Sequence, residues 1–163
     1  MIPIKNKKKN LEVTVEEMRN FAFNYIEKFA PSKQQLKTYL LKKYLKSKIP
    51  SVKKSNIKDL IDIVTEDLEK SKFINDKFYS ESKAKSLIQR GSSINKIRNY
   101  LFNKGVGEKY IKNTIDKIQN NNEDQDFFSA IKICKKKRIG PSRDDANRPI
   151  FYKKDMGILA RSG

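Results

Sequence analysis

The sequence predicts an all-α protein built as an elongated, solenoid-like array of tandem three-helix repeats, the third of them incomplete. Three observations lead there. Apolar residues recur at three- and four-residue spacing in seven segments, Pro and Gly fall between those segments, and a block in the first half of the chain recurs 61 residues later.

Residues 1–13, with Lys5, Lys7, Lys8 and Lys9, hold too little apolar surface to fold and read as a basic disordered arm. Thr14-Val15-Glu16-Glu17 is a capping box that opens a helix over about 15–30, with Met18, Ala22, Tyr25, Ile26 and Phe29 on one face and Pro31 as its stop. Ser32-Lys33-Gln34-Gln35 is a second capping box, starting a helix over 33–44 that carries Leu36, Tyr39 and Leu40. A basic loop from Lys46 to Ser55 follows. Asn56 then caps a helix over 56–70 bearing Ile57, Leu60, Ile61, Val64 and Leu68.

The cycle restarts at Asn75-Asp76, which cap a helix over 76–90 with Phe78, Tyr79, Ala84, Leu87 and Ile88 on its face and Gly91 beyond its end. A helix over 93–104 carries Ile94, Ile97, Tyr100, Leu101 and Phe102. The next, over 108–120, carries Ile111, Thr114, Ile115 and Ile118. A seventh, over 125–138, is expected to bury Phe127, Ala130, Ile131 and Cys134 before Gly140-Pro141, after which the chain reads as irregular to about Lys153.

Setting Ser32 against Ser93 pairs Leu36, Tyr39, Leu40 and Lys43 with Ile97, Tyr100, Leu101 and Lys104. The two tyrosines should occupy matching environments, and at helical spacing they read as packing residues, not base-stacking platforms. A weaker third copy sets Leu159 against Leu40 and Leu101, with Arg161 in the basic row and Gly163 where Gly105 sits. The repeats therefore divide as 14–72, 73–122 and a partial 123–163.

Lys and Arg number 37 against 19 Asp and Glu, a net charge of +18, so nucleic acid leads the partner classes, although Lys-, Asn- and Ile-rich composition also follows from an A+T-rich genome. Histidine is absent and Cys134 is alone, which removes the commonest general base and any zinc site. No enzyme activity and no cofactor are expected. Asp124 and Asp126, the one conceivable acidic metal cluster of a small nuclease, read as helix-start residues. With no apolar run long enough for a bilayer and no apolar leader, the expectation is a cytoplasmic monomer that does not meet a membrane.

The repeat, read with particular residues, resembles the RecX family. Phe21-Ala22-Phe23-Asn24-Tyr25-Ile26 before Ser32 and Leu36 is similar to the family's first unit, although Lys43-Tyr44 stands where the family has Lys-Gly. Phe73-Ile74-Asn75-Asp76-Lys77-Phe78 is similar to its Gly-hydrophobic-Asp-Asp-x-Phe turn, with Phe73 in place of Gly, and Lys104-Gly105-Val106 to its helix exit. Ala130-Ile131 through Lys135-Lys136-Lys137-Arg138-Ile139-Gly140-Pro141 resembles the basic stretch of alphaproteobacterial members. The resemblance implies a regulator that docks on the filament of RecA recombinase on single-stranded DNA, inhibiting strand exchange and ATP hydrolysis in DNA repair, recombination and the SOS response. The partners so implied are the RecA filament with single-stranded and also double-stranded DNA; the alternative is a general basic helical nucleic-acid-binding module with no recombinase partner.

The residues expected to touch partner or nucleic acid are Lys135, Lys136, Lys137 and Arg138, then Arg143 in the following loop with Arg148, Lys153 and Lys154 nearby. A repeated basic row of Lys42 and Lys43, extended by Lys37, has counterparts in Arg98 and Lys104. Because residues 154–163 start a helix of a third unit and stop short of its closing partner, the chain is expected to be part of a longer gene product. Hydrogen exchange is expected to find residues 76–120 protected and the region after Gly140 open.

Overall fold

The computed structural model describes residues 12–46 and 56–162, and every described regular element is helical. Most of the expected N-terminal arm, nearly all of the basic loop and Gly163 lie outside the described residues. The helices are α1 (Val15–Phe29), α2 (Lys33–Leu45), α3 (Ile57–Lys70), α4 (Asp76–Gln89), α5 (Ile94–Asn103), α6 (Glu108–Asn121), α7 (Gln125–Lys137) and α8 (Arg148–Ser162). They divide into two compact units, Met1–Ile74 and Asn75–Gly163.

In the first unit Ser32 caps as read, Thr14 forms one of the two bonds of its expected capping box, and Asn56 makes no side-chain cap bond. Thr14 Oγ1 accepts from Glu17 N at 3.2 Å, and Ser32 and Gln35 exchange both bonds of a capping box at 3.1 and 3.2 Å. Ala30, in the left-handed conformation ahead of Pro31, ends α1. Met18, Ala22, Leu36, Leu40, Tyr44, Ile57, Ile61, Val64, Leu68 and Ile74 then form one core shared by the three helices. Burial pushes the Tyr44 phenol well above its ordinary range, and the Glu17 carboxylate adds to that. Outside this core, Arg19–Asp67, Lys33–Glu69 (2.6 Å) and Lys37–Asp62 (2.5 Å) tie α1 and α2 to α3. Exposed pairs contribute about 0–1 kcal/mol each and a buried Leu or Ile about 1.5–3, so packing holds the unit together.

In the second unit, Asn75 Oδ1 accepts from Phe78 N at 3.0 Å and Ser93 Oγ from Lys96 N at 3.2 Å, capping α4 and α5. Tyr79, Ala84, Ile94, Ile97, Leu101, Val106, Ile111 and Ile115 form the core of α4 to α6, and the buried Thr114 hydroxyl donates to Ser80 Oγ at 3.0 Å. The residue pairs aligned by sequence sit in matching environments. Ser32 and Ser93 both cap, Leu36, Leu40, Ile97 and Leu101 are all fully buried, and Tyr39 and Tyr100 are both half-buried.

Four aromatic residues expected on buried faces are exposed, which corrects the helical faces at those positions: Phe29, Phe78, Phe102 and Phe127. Phe78 lies two residues past buried Asp76 and next to buried Tyr79, hence on the side of α4 away from Tyr79, Ser80 and Ala84. Phe102 follows buried Leu101 by one residue, a turn of about 100° off the core face. Phe29 ends α1 and rests on Tyr25, with ring centroids 4.8 Å apart. In α7 the inward residues are Gln125, Ser129 and Cys134, so the register differs from the one an apolar count predicts.

The segment expected to be irregular to Lys153 contains two short 3-10 turns, Gly140–Ser142 and Asp145–Asn147, and α8 begins at Arg148. Pro149 is compatible with that start because a first-turn residue has no intrahelical amide bond to lose. Leu159 is half-buried, unlike Leu40 and Leu101, and lines an open cavity of about 280 Å³ with Met156, Ile133 and Ala130.

Gly91 has φ of +83°, and a Cβ there would lie 3.0 Å from Ile133 Cγ1 and 3.1 Å from the Ser129 carbonyl. Gly91→Ala should therefore destabilise the protein by about 1–3 kcal/mol. Gly157, inside α8, meets only the flexible end of Arg161, at 3.4 Å, so Gly157→Ala should be neutral or stabilising by up to about 1 kcal/mol. Urea unfolding of both variants checks the opposite signs.

Candidate nucleic-acid and partner interface

The densest described positive charge closes α7. Lys135, Lys136 and Lys137 occupy its last turn and Arg138 its left-handed cap, and all four are exposed. A helix C-terminus favours cations, so the sequence places charge where the macrodipole tolerates it. Beneath them Cys134 and Ile139 are buried, and Ile139 N donates to the Cys134 carbonyl at 3.1 Å, which holds the turn.

From this turn the chain runs to a buried carboxylate. Asp155 of α8 is only 4 % exposed, and it accepts from Gly140 N at 2.9 Å, Arg143 Nε at 3.0 Å and Arg143 Nη2 at 2.8 Å. The Arg143 guanidinium first, and the Gly140 amide second, hold the Asp155 carboxyl below the ordinary carboxylate range. Arg143 also lies over the Phe151 ring at 4.4 Å, with Lys154 at 5.8 Å from the same ring. Arg148 donates to the carbonyls of Arg143 (3.0 Å) and Pro141 (2.8 Å) and pairs with Asp145 at 2.6 Å, fastening both 3-10 turns. The bond from Gly140 to Asp155 ties the loop after α7 to α8, on which Lys153 and Lys154 are exposed.

The predicted site residues separate into two groups. Lys135, Lys136, Lys137, Arg138, Lys42 and Arg98 are exposed and make no ion pair among the described residues. Lys43, Lys104 and Arg143 have structural tasks. Lys43 Nζ lies 3.4 Å above the Phe21 ring and 5.8 Å from Tyr39, and Lys104 Nζ lies 5.3 Å from Tyr100 in the equivalent place. Lys37 is held by Asp62.

Sequence reasoning missed the role of Asp155. A signal was available, because Asp155 stands four residues after Phe151 and three and four before Ile158 and Leu159, in the slot of an apolar stripe. Asp126 does more than start a helix: its Oδ1 accepts from Ile94 N at 2.7 Å, so α7 supplies a cap to α5. No group of three His, Cys, Asp or Glu suited to a metal occurs among the described residues. Among those residues, no helix is long and apolar enough to cross a membrane.

Fold and site together define a class: an all-helical protein with a cluster of exposed cations closing one helix. The chain is similar to "Regulatory protein RecX" of Myxococcus xanthus (strain DK1622), with 28 % identity over 159 residues, 96 % of this chain and 83 % of that protein. The similarity to that protein runs across nearly the whole chain, in line with the resemblance of the turn motifs to the RecX family. No family model matches the sequence, and no solved structure matches it.

A carboxylate held low contributes stability that is complete above its ordinary range and is lost as pH falls through its lowered value. Acidification through that lowered value should release the Arg143–Asp155 pair and expose α8 amides before those of α1 to α3. Hydrogen exchange across a pH series checks this, and Asp155→Asn should open the same segment already at neutral pH.

Proposed function

We propose that the chain is a cytoplasmic, non-enzymatic regulator that binds the RecA–single-stranded-DNA filament and inhibits its recombinase and ATPase activity in DNA repair. The observation that carries the reading is the exposed end of α7, four adjacent cations with no ion-pair partner among the described residues. The named relative, a regulatory protein, supports the regulatory part. Lys42 and Arg98 are further cations suited to phosphate binding, and Lys153 and Lys154 extend the field of the α7 cluster. The second reading, a basic helical module for bare nucleic acid, draws on the same cations.

Affinity separates the two. Co-sedimentation with preformed RecA filaments should show tighter binding than to naked single strands at equal salt, whereas equal affinity would favour the second reading. Replacing Lys135, Lys136, Lys137 and Arg138 by Ala should weaken binding. It should also make the slope of log affinity against log salt shallower by roughly 0.7 for each phosphate no longer neutralised, up to about 3 in all. Helical content should stay unchanged, because Ala is a good helix former. An unchanged salt slope would reassign the cluster to solubility.

A further inference from the structure

Helix α8 is held differently from the rest of the second unit. The apolar core of α4 to α6 includes none of its residues, and the one it buries is a carboxylate, Asp155. Where α8 meets α7, Ala130, Ile133, Met156 and Leu159 line the open cavity of about 280 Å³ and do not form a packed seam. A helix seated in this way lifts at low cost once its polar anchor is lost.

The anchor fills a cradle suited to an oxyanion. Gly140, with φ of +54°, donates its amide, and Arg143 donates Nε and Nη2 side by side to the two carboxylate oxygens. A phosphodiester offers a guanidinium fork the same pair of acceptors. The Phe151 ring stacked on Arg143 keeps that fork in place. Exposed Arg138 precedes the turn and exposed Lys153 and Lys154 precede Asp155, so further cations stand near it in sequence.

We propose that Asp155 is an autoinhibitory contact: it occupies Arg143, and a strand phosphate that takes Arg143 releases Asp155 and with it α8. The proposal rests on the nucleic-acid part of the reading above and adds its regulation. Cys134 reports the release. It is buried beneath this turn, its carbonyl holding the Ile139 amide and its Sγ 3.7 Å from where a Cβ on Gly140 would stand.

The test follows alkylation of Cys134 by iodoacetamide and binding to oligothymidylate, with the full chain, Asp155→Asn, Asp144→Asn and the double variant Arg143→Gln/Asp155→Asn. Asp144 is exposed and makes no ion pair among the described residues, so Asp144→Asn supplies the gain due to net charge alone. Asp155→Asn and the double variant should both alkylate about tenfold or more faster than the parent. In about 0.1 M salt, Asp155→Asn should bind the strand roughly fivefold tighter than Asp144→Asn, with a salt slope steeper by roughly 0.7, the share of one added phosphate. The double variant keeps the parent's net charge and should lose that gain, because it opens without freeing a cation. In the parent, where folding is not at issue, saturating oligothymidylate should speed alkylation by roughly the same fivefold factor, since coupling is reciprocal. Equal affinities of Asp155→Asn and Asp144→Asn would overturn the proposal, as would a double variant that binds as tightly as Asp155→Asn. So would a parent whose Cys134 the bound strand leaves equally or less reactive. A parent and variants that all leave oligothymidylate unbound would instead overturn the nucleic-acid reading, and this one with it.

Discussion

The register of α7 decides what the C-terminal half of the protein presents to its surroundings, and that register is set by buried polar bonds. Gln125 Nε2 donates to Ser129 Oγ at 3.0 Å, the Ser129 hydroxyl donates to the Ser92 carbonyl, and Asp126 accepts the Ile94 amide. Turning α7 to bury Phe127 would gain about 1.5–3 kcal/mol. It would strip partners from groups whose desolvation costs about 1–3 kcal/mol each. It would also break the fit at Gly91, where the α7 backbone and Ile133 approach too closely for a side chain. Several polar terms outweigh one apolar term, and the phenylalanines stay outside.

This explains which parts of the fold were legible in the sequence. α1 to α6 are dominated by apolar faces and local caps, both written in short spacings, so their ends fall within a residue or two of those predicted. Ser32, Ser93, Thr14 and Asn75 each cap as their position suggests. α7 and α8 depend on partners far along the chain. Ser92 lies 37 residues from Ser129, and Gly140 lies 15 from Asp155, and no local pattern announces either pairing. The start of α8 escapes a sequence reading for a related reason, since Arg148 and Pro149 become a helix start through bonds to Pro141, Arg143 and Asp145.

The candidate site divides along the same line. That Lys135 to Arg138 are exposed follows from charge and helix end alone. That Arg143 serves the fold depends on a buried Asp155 twelve residues on, and that Lys43 and Lys104 lie over rings depends on Phe21 and Tyr100. Matching lysine–tyrosine pairs in the two units, Lys43 with Tyr39 and Lys104 with Tyr100, show that an aligned basic residue can be kept for packing as readily as for charge.

Net charge describes the chain poorly until its carboxylates are located. Asp62, Asp67 and Glu69 all stand on α3, and each is paired with a cation from α1 or α2, so three positive charges of the first unit are largely neutralised within it. From Lys132 to Arg161 there are ten Lys and Arg against three Asp, and two of those Asp are taken by Arg143 and Arg148. The excess therefore concentrates at the end of α7 and on α8, while the acidic residues nearest to α7 in sequence sit at its opposite end. At physiological ionic strength the field of such a cluster decays over about 8 Å. The positive end and exposed Phe127, about two to three helical turns apart, are thus electrically distinct.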